Sequence, residues 1–147
     1  HGDETPQARR RLLTGMPKRP ITSPDLFTPP SGAMNTPAWE TTGGRTLHVS
    51  GMIARDASGA IVAVGDPAGQ ARRCLENLQS VLAAAGATFA DVVKITIYVC
   101  DRASIEPVRQ VRTEYFTPPM PAATLVIVSG LADPRALVEI EATAVVD

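Results

Sequence analysis

Apolar and polar side chains alternate with period two over Thr46 to Ile53, where Leu47 and Val49 interleave with His48 and Ser50. That pattern predicts a strand. Asp56-Ala57-Ser58-Gly59 is a turn signal, and Ala60 to Val64 returns as a second strand to complete a hairpin. At Asp66-Pro67 the period changes. Asp66 suits an N-cap and Pro67 a first helical position. Ala71, Cys74, Leu75, Leu78, Val81, Leu82 and Ala85 follow at helical spacing, and Gly86 sits where a left-handed residue ends the helix. Period two resumes over Asp91 to Cys100. Val93, Ile95, Ile97 and Val99 point one way, and Lys94, Thr96, Tyr98 and Cys100 the other. A second helix, capped by Ser104, runs to Phe116 with Ile105, Val108, Val111 and Tyr115 inward, and Thr117-Pro118-Pro119 stops it. Ala123 to Val128 and Ala136 to Val146 complete the set as strands divided by a turn at Asp133-Pro134.

The order β-β-α-β-α-β-β predicts an α+β fold with two helices on one face of the sheet. The opposite face is mixed. Glu139, Glu141 and Thr143 share it with Lys94, Thr96 and Tyr98, which makes it neither a dry core nor a plain solvated surface. It reads as a face that packs against another subunit around polar groups.

Ahead of these elements, Pro6, Pro17, Pro20, Pro24, Pro29, Pro30 and Pro37 break residues 1–38 into an extended arm. Regular structure is expected to begin near Trp39. The division is therefore an arm at 1–38 and one domain at 39–147. Within the arm, residues 1–20 carry five basic side chains against two acidic ones, a balance of +3 in a chain of net charge −1. Being charged and proline-broken, they are expected to add little to the core fold. The run Arg9-Arg10-Arg11-Leu12-Leu13 does not read as an export signal, because Thr14, Gly15, Pro17 and Lys18 interrupt any apolar region after it.

A chain of 147 residues suits one domain, and 44% hydrophobic with 20% charged residues excludes extensive disorder. No stretch has the roughly 18 consecutive apolar residues of a membrane span. Aromatics at 4%, with basic residues gathered in a tail, argue against a nucleic-acid partner. Cys74 and Cys100 make no disulfide framework, which fits a reducing cytoplasmic setting. His1 and His48, without a Cys-x-x-Cys pair, make no metal site. Among groups that could move a proton or position water, Glu139 and Glu141 stand out, on one strand face and near Lys94. Trp39, the single tryptophan, reads equally as core plug or pocket wall.

The segments Leu47-His48-Val49-Ser50-Gly51, Ala71 to Leu78, Ala83-Ala84-Ala85-Gly86, Asp91-Val92-Val93-Lys94, Tyr115-Phe116 and Val138-Glu139-Ile140-Glu141-Ala142 fall in order over about residues 39–146. Together they resemble the Rid family, the reactive intermediate deaminases, also called YjgF or L-PSP proteins. Leu131 to Ala142 also resembles the aminomuconate deaminase branch. The resemblance implies a chorismate-mutase-like fold with a mixed sheet, a homotrimer around a barrel-like core, and clefts between subunits. It implies hydrolysis of enamines and imines, typically 2-aminoacrylate and its tautomer, to a keto acid and ammonia, with no metal or organic cofactor.

Carried over residue by residue, the resemblance makes Glu139 the water-positioning carboxylate. Ser50, Gly51 and Trp39 become cleft residues, and Leu125 a source of a backbone carbonyl. Arg109 stands where many members have asparagine. Pro121-Ala122-Ala123-Thr124 departs from the family's Pro-x-Arg-(Ser/Thr), so Ala123 stands where an arginine pairs with the substrate carboxylate. The expectation is a divergent Rid-type enzyme whose small-molecule substrate lacks the usual α-carboxylate or binds it differently. The alternative is a non-catalytic trimer that binds a metabolite or a partner protein.

Overall fold

The computed structural model describes residues 18–27, 32 and 35–147. The chain order is β1 (Lys18–Ile21), β2 (Ala38–Thr41), β3 (Arg45–Ile53), α1 (Pro67–Ala84), β4 (Val92–Val99), α2 (Ile105–Tyr115), β5 (Ala122–Ile127) and β6 (Val138–Val146). The main sheet has the order β3-β6-β4-β5. β4 and β5 run parallel while β6 is antiparallel to both of its neighbours, so the sheet is mixed. The fold is α+β, with α1 and α2 packed together and α1 laid on β3 and β6.

α1 forms as the pattern predicts. The Asp66 carboxylate accepts the Gly69 N–H at 3.1 Å, and Gly86 adopts a φ of 72° just beyond the helix. Ala71, Cys74, Leu75, Leu78 and Leu82 are buried, whereas Val81, on the flank of that stripe, stays 39% exposed. Buried Gln70 joins the start of α1 to the entry of β6. Its amide donates to the Arg135 carbonyl at 2.9 Å and accepts the Leu137 N–H at 2.7 Å. These side chains meet Ile95, Ile97, Val99, Val138, Ile140, Ala142 and Ala144 from the sheet, with Val108 and Val111 from α2. Each fully buried leucine or isoleucine contributes roughly 1.5–3 kcal/mol of transfer free energy.

Three local readings change. Ala60 to Val64 does not return as a strand; only the bridge Arg55↔Ile61 forms. Asp56 ties the intervening turn by accepting the Ser58 and Ala60 N–H groups, and Ala63 takes a φ of 50°, which turns the chain away from β3. Ser104 stands at the N-cap position of the second helix, as expected, but its side chain makes no capping bond. Asp101 accepts both its N–H at 2.8 Å and its hydroxyl at 2.7 Å, so the hydroxyl is already engaged, and one 3-10 turn precedes α2.

Regular structure also begins earlier, at Lys18. β1 pairs antiparallel with β2, Pro20 opposite Trp39. Lys18 Nζ donates to Asp91 Oδ1 at 3.0 Å and to the Val145 carbonyl at 2.9 Å, which ties this small sheet to the end of β6. Part of residues 1–20 is therefore structural. The arginine run at 9–11 lies outside the described residues.

Candidate functional site

The β3–β6 ladder carries a β-bulge. Val49 pairs with Ala142 and Met52 with Ile140, so three residue steps on β3 oppose two on β6. The extra residue falls at Ser50-Gly51, opposite Glu141. Bulges re-aim side chains and gather beside functional sites. Glu139 lies over this bulge: a Cβ on Gly51 would stand 2.9 Å from Glu139 Cδ. Ser50, Gly51 and Glu139, three residues singled out from sequence, are thus brought together at one end of the sheet.

The same face carries the polar groups expected of it. By register, Tyr98 lies beside Glu139, Thr96 beside Glu141 and Lys94 beside Thr143. The Tyr98 hydroxyl donates to Glu141 Oε1 at 2.5 Å, and Lys94 Nζ donates to Thr124 Oγ1 at 2.8 Å. The bond to Glu141 raises the Tyr98 phenol above its ordinary range; desolvation and the charges of Glu141 and Glu139 add to the rise. Tyr98 is accordingly a neutral donor that fixes Glu141, and it leaves Glu139 as the carboxylate aimed at the bulge. His48, Lys94, Thr96, Glu141 and Thr143 line an open polar concavity of about 270 Å³.

Trp39, Ala123, Leu125 and Arg109 are not part of this cluster. Ala123 pairs with Ile95 and Leu125 with Ile97, which places both on the helix-facing side of β5, against the core. Ala123 and Glu139 are two strands and three residues apart in register, roughly 14 Å, and on opposite faces. The Trp39 indole N–H donates to the Met120 carbonyl at 3.1 Å, just before β5. Arg109 is exposed on α2.

Sequence reasoning passed over Arg112, which is 3% exposed. The signal was the 3–4 spacing of Val108, Val111, Arg112 and Tyr115, which puts position 112 on the inward stripe. Burial holds its guanidinium below the usual range, and the nearby Arg109 cation adds to that.

Neither cysteine is an activated thiol. Burial, reinforced by the Glu139 charge, pushes Cys74 up to about 12. Desolvation and the charge of Asp101 raise Cys100. Among the described residues no group of three His, Cys, Asp or Glu side chains is placed to hold a metal ion. No described helix is long and apolar enough to cross a membrane.

Known proteins share this architecture. The chain is 38% identical to the 3-aminoacrylate deaminase RutC of Acinetobacter baylyi over 80% of its own length and 90% of the relative's. A crystal structure of a Yersinia pestis protein of unknown function from the conserved Rid family, YyfB, superposes with a TM-score of 0.80. It is 36% identical, over 89% of this chain and 100% of that one. RidA from a Psychrobacter species matches with a TM-score of 0.66 and 27% identity, over 72% of this chain and 85% of that one. With residues 35–146 also matching the profile of the family described as endoribonuclease L-PSP, the chain belongs to that family, the YjgF or Rid proteins.

Proposed function

We propose that this protein is a Rid-type hydrolase that releases ammonia from an enamine or imine of a small metabolite, one without a carboxylate on the nitrogen-bearing carbon. The observation that carries this reading is the Glu139 carboxylate lying over the Ser50-Gly51 bulge. A proton from solvent adds to the enamine carbon and gives an iminium ion. Water adds to the C=N carbon and Glu139 takes the proton that it loses. Glu139 returns the proton to nitrogen, and the C–N bond of this carbinolamine breaks as its hydroxyl gives its proton to Glu139, which passes it to solvent; ammonia and a carbonyl compound are released. Ser50 supplies a hydroxyl to orient the substrate. The relative named 3-aminoacrylate deaminase supports this choice, because 3-aminoacrylate holds its nitrogen and its carboxylate on different carbons.

The open sheet face closes against further copies in a homotrimer. The separation of Trp39 and Ala123 from Glu139 within one chain supports a cleft shared between copies. Trp39 and position 123 of one copy then face Glu139 of the partner subunit.

Ammonia release from 3-aminoacrylate and 2-aminoacrylate, each generated in situ, tests the reading. Turnover of the first substrate should exceed that of the second. Glu139→Gln should cost about 10²-fold or more, the scale of a lost acid–base group. Background-level release by the wild type, or unchanged turnover in Glu139→Gln, would overturn it. A non-catalytic metabolite-binding trimer is the second reading. Ala123 favours it by offering no polar group in the place where the family pattern has an arginine. Saturable binding of an enamine analogue without ammonia release would support that alternative.

A further inference from the structure

We propose that Arg112 is a positioning residue: through Asn35 it locks the segment 35–41, and with it the Trp39 indole, against the start of β5. The inference rests on the reading of Trp39 as a wall of the cleft, but its test needs no turnover.

Arg112 lies on the inward face of α2 and is 3% exposed. Its Nη2 donates to the Asn35 side-chain oxygen at 3.1 Å, across 77 residues of chain. Next to Asn35, the buried Thr36 donates its N–H to the Pro121 carbonyl at 3.4 Å. Three residues on, the Trp39 indole donates to the Met120 carbonyl at 3.1 Å. Asn35, Thr36 and Trp39 are therefore fastened to one short stretch, α2 on one side and Met120-Pro121 on the other.

Burying a guanidinium is costly, and a methionine or leucine would fill the same helix position without that penalty. Arginine does something there that a hydrophobe does not. It carries rigid, directional donors that reach out of the helix to a residue of the arm. Asn35 is itself exposed, so packing does not hold its side chain. The bond to Arg112 does, and it limits how far Trp39 can move.

Trp39 is the chain's single tryptophan, so its fluorescence reports this wall alone. Arg112→Met should shift the emission to longer wavelength and raise the acrylamide quenching constant at least about twofold, with the far-ultraviolet circular dichroism unchanged. Arg112→Lys should fall between wild type and Arg112→Met, since an ammonium lacks the guanidinium fork. Asn35→Ala removes the exposed acceptor and leaves the core untouched, so it decides the matter if Arg112→Met does not fold; it should change Trp39 in the same direction. Val108→Ala, a cavity at a fully buried position of the same helix, should lower Tm and leave Trp39 as it is. Unchanged quenching in Asn35→Ala, or an equal change in Val108→Ala, would overturn the proposal.

Discussion

Gly51 and Glu139 occupy each other's space: the carboxylate of Glu139 lies where a side chain at position 51 would begin, with only 2.9 Å between Glu139 Cδ and an ideal Cβ there. The bulge explains why this is possible. The extra residue in β3 bends the strand, and the missing side chain lets the carboxylate lie on the backbone. The position of Glu139 is thus set by β3 as much as by its own strand.

Gly51→Ala should therefore displace Glu139. Because the clash is with the end of a flexible, half-buried side chain, the cost should be at or below about 1 kcal/mol, the low end of overpacking. Glu139→Ala opens the space again, so the double variant should be more stable than the sum of the two single changes predicts. Urea denaturation of the four proteins closes the cycle. Strict additivity would mean that the two residues do not meet in solution.

Lys18 makes an equally specific prediction for the arm. Its bonds to Asp91 and the Val145 carbonyl are charge-assisted and only partly exposed. Lys18→Met should cost about 1–2 kcal/mol after allowance for solvent, a fall in Tm of roughly 3–8 °C at fixed protein concentration. Burial alone would raise the Asp91 carboxyl, but the Thr88 N–H and Lys18 hold it below its ordinary value. A carboxylate depressed in the folded state stabilises above its unfolded pKa and loses that contribution as pH falls through the folded one. The gap between wild type and Lys18→Met should thus be full at pH 7 and narrow below about pH 4. Thermal melts at pH 7 and pH 3 measure both values, and a gap that widens in acid would contradict the assignment.

The regular parts of this fold were legible because they repeat. β4 and β6 alternate cleanly, and α1 carries a cap, a stripe and a terminating glycine in succession. The irregular parts depend on partners that no local pattern names. The bulge at Ser50-Gly51 exists only relative to β6. β1 contains Pro20 and pairs with a strand some 20 residues away, so its composition looked like a linker. Arg112 reads as a surface residue until its position on the inward stripe is weighed against its charge. The candidate site divides in the same way. Ser50, Gly51 and Glu139 converge through β3 and β6, whereas Trp39 and Ala123 sit toward the other end of the sheet.

Assembly has its own test. Val126 lies in the same row as Tyr98 and Glu139 on the open face, and it is 38% exposed. Val126→Asp should leave the isolated fold intact but place a third acidic group beside Glu139 and Glu141 at the proposed contact. Light scattering should give three chain masses for the wild type and one for Val126→Asp, with matching circular dichroism. A wild-type mass near 15.5 kDa at micromolar concentration would rule out the trimer.

Position 123 decides what the cleft accepts. Ala123 offers neither charge nor donor, and a carboxylate next to a C=N carbon needs a counter-charge that is held still while water adds. Losing such a pair costs about 2–5 kcal/mol, at least ~30-fold in binding. The wild type should therefore be poor at 2-aminoacrylate deamination. Ala123→Arg should recover part of that loss, because a guanidinium provides the fork geometry that lysine lacks. Within one protomer the introduced guanidinium would start roughly 14 Å from Glu139 and on the other face of the sheet. In the proposed trimer, any gain would come from Glu139 of the partner subunit. The decisive experiment mixes two parents of low activity on this substrate, Ala123→Arg/Glu139→Gln and the otherwise unaltered chain, under conditions that exchange subunits. Ammonia release from 2-aminoacrylate should rise on mixing, since only mixed trimers set the introduced guanidinium of one chain against Glu139 of another. No rise on mixing, with Ala123→Arg alone active, would place the whole site within a single chain.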